Sequence, residues 1–234
     1  MRLFSGRIEE IRRYTADHRQ AVIAVQDGLL PKPGQYLQVH RLVDPEAATA
    51  HTVFPGGVEA DQRPNRFTTA PPIPASWQPG DQLLLRGPLG RGFQLPPQTS
   101  RLALASLGSE TASLLPLAAE VLSRGGEVAL FTDQETPHLP PQLEISPLDE
   151  LEQGLLWANF LAVSGSPDQV AALKATTYPK QMMPCPAQAL VLIPMPCGGM
   201  AACGVCALPD RKGKTLLACE DGPVFDWEQL SESI

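Results

Sequence analysis

The sequence predicts an α+β multidomain chain with an N-terminal β-barrel, a nucleotide-binding-like α/β domain built on a parallel sheet, and a small C-terminal module. Three observations predict this order. Short β-rich runs separated by Gly and Pro turns fill residues 1–98, strands alternate with helices over 99–194, and four of the five cysteines lie in 195–234. We take these three ranges as the expected domains.

In the first range, the apolar runs are short and regularly interrupted. Val22–Val25 and Tyr36–Val39 are β-rich and are separated by a turn at Pro33–Gly34. A third run, Gln82–Leu85, follows Pro79–Gly80. Because Gly and Pro favour turns, the pattern predicts hairpin-connected strands in a barrel or sandwich.

In the second range, buried strands alternate with helices. Four apolar runs predict the strands: Leu102–Ala105, Glu127–Phe131, Phe160–Val163 and Ala189–Ile193. A helix is expected over Ser113–Leu122, and another after Ser166, which is a favourable N-cap residue followed by Pro167. This β-α-β succession predicts a parallel sheet with helices on both faces.

Composition excludes several classes of protein. The formal charge of −7 argues against a nucleic-acid partner, because phosphate binding needs basic patches. No apolar run reaches the roughly 18 residues that a membrane-spanning helix needs. The first residues lack the apolar stretch of a signal peptide, and clustered thiols suit a reducing compartment, so we expect a cytoplasmic protein.

The cysteines are the strongest functional signal. Cys197, Cys203, Cys206 and Cys219 are spaced C-x5-C-x2-C-x12-C in a stretch rich in Gly, Ala and Val. Plant-type 2Fe-2S sites have a similar layout, with one residue fewer in the first gap. Small residues let backbone N–H groups approach the sulfurs of an anionic cluster, and glycines permit the positive φ angles of a chain that wraps around it. A 2Fe-2S cluster is therefore the first hypothesis.

Two other uses of these cysteines stay open. A structural zinc site also takes four thiolates, although it usually has two paired C-x2–4-C knuckles and only Cys203 and Cys206 form such a pair here. Disulfides would require an oxidising compartment. Cys185, between two prolines, is expected to be an ordinary free thiol.

The cysteine segments resemble the iron-sulfur electron-transfer subunit of dihydroorotate dehydrogenase B, within the ferredoxin-reductase superfamily. Met195–Gly198, Cys203–Cys206 and Cys219–Phe225 carry the resemblance, and the Asp-Gly-Pro-Val-Phe tail is its specific part. Pro33–Tyr36 and Gly87–Phe93 resemble the strand and the closing segment of the family's flavin barrel.

The resemblance implies that the four clustered cysteines are the ligands of the 2Fe-2S cluster. It also implies FAD on the barrel, NAD on the α/β domain, and a hetero-oligomer with a flavin-containing oxidoreductase catalytic subunit that is dihydroorotate-dehydrogenase-like.

The FAD motifs of the family are altered in this chain. Arg63–Thr69 has the letters of the Arg-Pro-x-Ser strand, but it lies close to Pro79–Gly80, where the second, glycine-rich motif should also fit. If the alignment is anchored on Pro79, the two motifs fall near Ala50–Phe54 and Ala70–Pro74, without the arginine or the glycines. Proline supplies no N–H to a phosphate, so this chain is expected to bind FAD poorly.

The NAD motifs are altered as well. Ser106–Ser113 replaces a glycine-rich turn and contains Glu110, which would repel a phosphate at close range. Ser164–Pro167 replaces the family's Cys-Gly-Pro segment. NAD binding is expected to be weak.

Other polar features carry less information. His18, His40, His51 and His138 are isolated in sequence, and we expect surface or loop positions for them. The basic run Arg211–Lys214 fits either a solvated hairpin tip or a docking contact for an acidic partner.

The sequence therefore predicts an electron-transfer subunit that relays single electrons to or from a flavin oxidoreductase, with no catalytic residues of its own. Two alternatives stay open: a non-enzymatic assembly or regulatory subunit on a degenerate reductase scaffold, and a complete FAD- and NADH-dependent reductase.

Overall fold

The structure is a computed structural model of the whole chain. It describes residues 2–13, 19–25, 30–43, 50–57, 65–70, 72–108, 111–134, 139–177 and 183–232. No helix within these ranges is long and apolar enough to cross a membrane.

The N-terminal region forms one curled antiparallel sheet. Its strands are β1 (Arg2–Arg13), β2 (Arg19–Val25), β3 (Tyr36–Arg41), β4 (His51–Val53), β5 (Arg66–Thr68) and β6 (Gln82–Leu89). The order across the sheet is β4-β3-β6-β1-β2-β5. At one end the edge strands approach each other, where the N–H of Gly56 donates to the carbonyl of Thr68 at 2.7 Å and that of Ala70 to Phe54 at 2.8 Å. The predicted barrel is therefore present as a half-barrel with a partial closure.

Side chains of the half-barrel alternate between its inside and its outside, as the pleat of a strand requires. Leu83 and Leu85 of β6 are fully buried in the interior, whereas Leu84 between them is exposed. Along β3, Leu37 and Val39 face the interior core. Gln38 and Tyr36 therefore lie on the opposite, outer face of β3.

The second sheet mixes parallel and antiparallel pairing. It contains β7 (Arg101–Ser106), β8 (Glu127–Phe131), β9 (Glu144–Ser146), β10 (Phe160–Gly165), β11 (Ala187–Val191) and β14 (Val224–Asp226). The order is β14-β11-β10-β7-β8-β9, in which β14 alone pairs antiparallel within the described chain. The four predicted strands of this region are confirmed. The antiparallel edge was not predicted, because β14 comes from the far side of the cysteines in sequence.

Helices cover both faces of this sheet, as predicted. They are α1 (Leu115–Ser123), α2 (Leu151–Trp157) and α3 (Pro167–Thr176). Leu102 and Leu104 of β7 pack with the residues of α1, whereas Ala103 and Ala105 pack on the other side with those of α2 and α3. Ser166 caps α3 as expected, and Gln169 completes a reciprocal capping box with it.

The half-barrel and the second sheet share a buried boundary. The backbone N–H of Gln94 donates to the side-chain carbonyl of Gln188 on β11 at 2.8 Å, and the Gln188 amide donates to Asp226 on β14 at 2.9 Å. At Gly34, an added Cβ would lie 2.4 Å from a methyl group of Val224 on β14. The start of β3 therefore packs directly against β14. The limits of the predicted domains stay a prediction.

Candidate metal centre

The four clustered cysteines lie on one excursion of the chain between two neighbouring strands. We call residues 192–223, which join β11 to β14, the cysteine loop. It contains a short hairpin of β12 (Ala207–Pro209) and β13 (Thr215–Leu217). Because β11 and β14 are hydrogen-bonded to each other, both ends of the loop are held at the same edge of the sheet.

The cysteine loop brings the four thiols together as two pairs. The thiol of Cys203 lies close enough to that of Cys197 to lower its pKa, and the thiol of Cys206 lies close enough to that of Cys219 to raise its pKa; Cys197 acts more weakly on Cys219. Cys197 and Cys203 are partly or fully exposed, and we call them the outer pair. Cys206 and Cys219 are 1% and 5% exposed, and we call them the inner pair.

No three His, Cys, Asp or Glu side chains within the described ranges converge on a point where one metal ion could bind. A tetrahedral zinc site needs four ligands around a single centre. Four thiolates are also the donor set that a 2Fe-2S cluster takes, so the residue types suit either kind of centre.

The backbone of the cysteine loop is folded to present N–H groups. Gly198, Gly199 and Gly204 have φ angles of 65°, 75° and 69°, and Ala201 adopts a φ of 55° although it carries a side chain. Glycine reaches this region at little cost, whereas alanine does so with strain. The strain at Ala201 therefore marks a turn that the surrounding contacts impose.

These N–H groups act on the outer pair. Hydrogen bonds from the backbone of Ala202 and Met200, together with contacts from Cys203, lower the pKa of the Cys197 thiol to about 6. A donor that favours a thiolate also favours the sulfur of an anionic cluster. The backbone around Cys197 therefore stabilises a negative charge on its sulfur.

The inner pair lies in a different environment. Burial, followed by the contact with Cys206, raises the pKa of the Cys219 thiol to about 12, although the backbone of Ala201 opposes this shift. The N–H of Ala218 also donates to the carbonyl of Cys206 at 3.0 Å, which ties the two inner segments together. Ionised sulfurs at the inner pair would need a counter-charge, such as ferric iron, to be stable there.

The half-barrel contributes a tyrosine to the cysteine loop. Tyr36 is completely buried, and its hydroxyl donates to the backbone carbonyl of Cys219 at 3.1 Å. Its ring lies beside Gly199 and Gly90, and an added Cβ on Gly199 would lie 2.4 Å from the tyrosine oxygen. The segment Pro33–Tyr36 was predicted as a barrel strand, but nothing in the sequence indicated its contact with a cysteine.

A cavity of about 340 Å³ lies between the outer face of the half-barrel and the cysteine loop. Its lining includes Leu3, Gln38, Leu84 and Arg86 from the sheet, and Cys197 and Met200 from the loop. A guanidinium nitrogen of Arg86 is 3.2 Å from the position that a Cβ on Gly198 would take. Within the described residues, Arg86 has no carboxylate partner, so its positive charge is available to this cavity.

Cys185 and the histidines, for which the sequence predicted no role at the site, lie at separate positions. Cys185 is buried away from the loop in a pocket with Met183 and Trp227, and burial raises the pKa of its thiol. His51 is exposed as a residue, but its ring contacts the Trp77 ring edge-on. Partial burial of the ring lowers the pKa of His51, and the neighbouring His40 lowers it further. The sequence did not show that these two histidines are neighbours across β3 and β4. His18 and His138 lie outside the described residues.

The candidate FAD positions keep little of the family's motif. The letters of the first motif at Arg63–Thr69 fall partly outside the described residues, and Arg66 on β5 is ion-paired with Glu9 at 2.9 Å. The alternative segment, Ala50–Phe54, contains β4 and carries no arginine. Pro71 lies outside the described residues. The described residues therefore provide no arginine free to bind a diphosphate at either segment.

The candidate NAD edge is occupied by hydroxyl groups that bond to one another. Thr111 donates to Ser106 at 2.9 Å, and the hydroxyls of Ser113 and Ser164 are 3.1 Å apart. The N–H of Leu107 donates to Ser164, so this amide is not free for a phosphate. Ser109 and Glu110 lie outside the described residues. The described part of this edge does not fit the amide cradle that a pyrophosphate needs.

The cysteine loop matches a known family of domains. Residues 194–231 match the family model of the iron-sulfur cluster binding domain of dihydroorotate dehydrogenase B. The predicted resemblance of this segment is thereby confirmed. All four clustered cysteines lie within the match. No curated protein matches the chain significantly.

Solved structures resemble nearly the whole chain in fold. An NADH-dependent reduced ferredoxin-NADP oxidoreductase aligns with a TM-score of 0.72 and 18% identity, over 96% of this chain and 88% of that one. Phthalate dioxygenase reductase aligns at 0.58 and 12% identity, over 92% and 75%. The ferredoxin reductase in carbazole 1,9a-dioxygenase aligns at 0.57 and 17%, over 76% of this chain and 64% of that one, so the chain spans less than two thirds of this relative. At these identities the likeness shows a ferredoxin-reductase fold.

Proposed function

We propose that this protein is an electron-transfer subunit that holds a 2Fe-2S cluster on Cys197, Cys203, Cys206 and Cys219. The observation that carries the proposal is the division of the four thiols into an outer and an inner pair inside a loop that matches an iron-sulfur domain. When bound, such a cluster would accept and release one electron at a time.

The residues of the loop have distinct tasks in this proposal. The amides around Cys197 stabilise negative charge on the outer pair, while the inner pair anchors the metal in a water-poor environment. The outer pair is the side from which an electron reaches a partner, because these sulfurs are the exposed ones and electron transfer weakens steeply with distance.

The surface beside the outer pair fits a protein partner. Leu3 and Met200 are 67% and 63% exposed on the rim of the cavity, and among the residues that the structure describes, no carboxylate pairs with Arg86. Exposed apolar side chains around a charge are typical of interaction sites. We propose that the partner is a flavin-containing oxidoreductase of the dihydroorotate-dehydrogenase type, which presents a carboxylate to Arg86.

A complete reductase is the less favoured alternative. At the described FAD and NAD positions, Arg66 is ion-paired with Glu9 and the N–H of Leu107 donates to the carbonyl of Ser164. The catalytic flavin for any substrate would then belong to the partner subunit.

The test is a visible absorption and EPR spectrum of anaerobically purified protein, before and after dithionite, with iron, sulfide, zinc and flavin quantified. We expect iron and sulfide near two per chain, an EPR signal that appears on reduction, and no flavin. The Cys206→Ser variant should lose this signal, whereas Cys185→Ser should retain it.

Other outcomes contradict the proposal in different ways. Zinc without iron would overturn electron transfer and support an assembly or regulatory role. Stoichiometric flavin with NADH-dependent reduction of the cluster would show that the protein is a complete reductase and not an electron-transfer subunit. A cluster that dithionite cannot reduce would also overturn the relay.

A further inference from the structure

We propose that Tyr36 of the half-barrel is a positioning residue for the metal centre, which fixes the backbone of the inner pair through its hydroxyl. The inference rests on the proposed cluster, but the contact that it invokes is present in the protein fold itself. Tyr36 acts through the carbonyl of Cys219 and through Gly199.

The first observation is a hydrogen bond across the fold. The hydroxyl of Tyr36 donates to the carbonyl of Cys219 at 3.1 Å, over a separation of 183 residues. Both residues are buried, at 0% and 5% exposure. A buried carbonyl that loses its donor is left without a partner and costs free energy, so the bond holds the Cys219 backbone in one orientation.

The second observation is steric. The phenol ring lies between two glycines, one at the end of β6 and one in the cysteine loop. An added Cβ on Gly90 would lie 2.9 Å from a ring carbon of Tyr36, and one on Gly199 would lie 2.4 Å from its oxygen. Gly199 stands between Cys197 and Cys203 of the outer pair. Tyr36 therefore contacts the segments of both pairs.

The two contacts together set the spacing between the pairs. The inner pair is fixed to the half-barrel through Cys219, and the Gly199 turn of the outer pair packs against the same phenol. A change at Tyr36 should thus alter the geometry at the metal, and with it the redox potential, and not only the stability of the fold. The test needs a variant that removes the hydroxyl while the ring remains.

The experiment is a double-mutant cycle of Tyr36→Phe and Gly199→Ala in the full chain. Four quantities are measured for each protein: iron and sulfide per chain, the rate of iron loss to a chelator, the midpoint potential with the EPR spectrum of the reduced protein, and the thermal unfolding of the apo-protein. Ser5→Ala, which removes an exposed hydroxyl from β1, is the matched control.

We expect Tyr36→Phe to retain its fold, to lose iron about five- to tenfold faster and to show a changed midpoint potential and EPR spectrum. In the parent, Gly199→Ala should lower the stability of the apo-protein more than Tyr36→Phe does. The new methyl group would clash with the tyrosine oxygen, and alanine would be strained at the positive φ of this position. In the Tyr36→Phe background the same substitution should lower the stability of the apo-protein by a smaller amount, since the tyrosine oxygen is absent. Ser5→Ala should match the parent.

Two results would overturn this role. If the parent holds two irons but Tyr36→Phe has the parent's potential, spectrum and rate of iron loss, Tyr36 does not position the centre. If the two substitutions are additive in apo-protein unfolding, the contact between Tyr36 and Gly199 is absent. A parent without iron would contradict the proposed function, and the apo-protein cycle would still decide on the contact.

Discussion

At the scale of single residues, the two thiol pairs differ most in their access to water. The outer pair is solvated and surrounded by backbone N–H groups, whereas the inner pair is buried. Negative charge is more stable where water and N–H dipoles are near. The added electron of a reduced centre should therefore reside at the outer pair, while the inner pair chiefly retains the metal.

Serine substitutions should separate these two tasks. We expect Cys203→Ser to retain much of the iron but to lower the midpoint potential, because an alkoxide ligand is harder and more basic than a thiolate. Cys206→Ser should lose most of the iron, since the inner site offers no water ligand as a replacement. Iron analysis and an EPR redox titration check this, and equal iron loss in both variants would contradict the asymmetry.

Arg86 should tune the same centre through its charge. Replacement Arg86→Gln removes a cation next to Gly198, so the reduced, more negative state becomes less stable and the midpoint potential should fall by on the order of tens of millivolts. Arg86→Lys keeps the positive charge and should therefore have a midpoint potential close to that of the parent. Arg101→Gln, at the distant start of β7, is the control, and an equal shift in that variant would exclude a local effect of Arg86.

At the scale of elements, the C-terminal segment is attached to the second sheet by strand β14 and by helix α3. The ammonium group of Lys174 on α3 is buried, donates to the carbonyl of Trp227, and lies 4.9 Å from the centre of the Trp227 ring. This contact lies just beyond β14. It holds Trp227 on the helix that covers β10 and β11.

The burial of Lys174 predicts a pH dependence of stability. Burial lowers the pKa of Lys174 below its usual 10.5, although Glu228 opposes the shift; Arg211 and Glu232 also face this group. The unfolded chain then binds this proton more tightly than the folded one, so the free energy of unfolding rises as pH increases towards 10.5. Lys174→Met should reduce this rise in melting curves between pH 8 and pH 10, whereas the exposed Lys212→Met should leave it unchanged.

Much of the architecture could be predicted from sequence because local patterns determine it. The β-rich run Gln82–Leu85, the apolar run of β7 and the cap at Ser166 are each determined by neighbouring residues, whereas the exposure of Leu84 between two buried leucines is visible only in the structure. The same holds for the four cysteines, whose spacing is local. By contrast, Arg86 and Tyr36 reach the cysteine loop only through packing between distant segments, and no local pattern marks them.

At the scale of the whole molecule, three parts of the sequence meet at one junction, the side chain of Gln188. Gln188 on β11 accepts a hydrogen bond from Gln94 beyond the half-barrel and donates one to Asp226 on β14. Its side chain thus links the half-barrel, the second sheet and the strand that ends the cysteine loop. Each of these parts depends on the others for its position.

Removing that link should loosen the junction. We expect Gln188→Leu to lower the free energy of unfolding by about 0.5–1.5 kcal/mol, because two hydrogen bonds are lost while water can solvate the exposed residues Gln94 and Asp226. Iron should also leave the protein faster, since β14 anchors the loop. Denaturant unfolding of the apo-protein and a chelator assay test this, with the exposed Gln153→Leu on α2 as control; a parent-like result in both assays would show that Gln188 is dispensable.

The anchoring of the cysteine loop at both ends, by neighbouring strands of one sheet, has a kinetic consequence. A redox centre on a flexible tether can shuttle between donor and acceptor, whereas a cluster on the cysteine loop would be held near one edge of the second sheet by both ends of the loop. Each electron therefore has to be collected and delivered at one location, and the partners must take turns there or remain permanently bound. In a transient complex, turnover would follow the encounter rate and fall with ionic strength. In a permanent one it would be insensitive to salt.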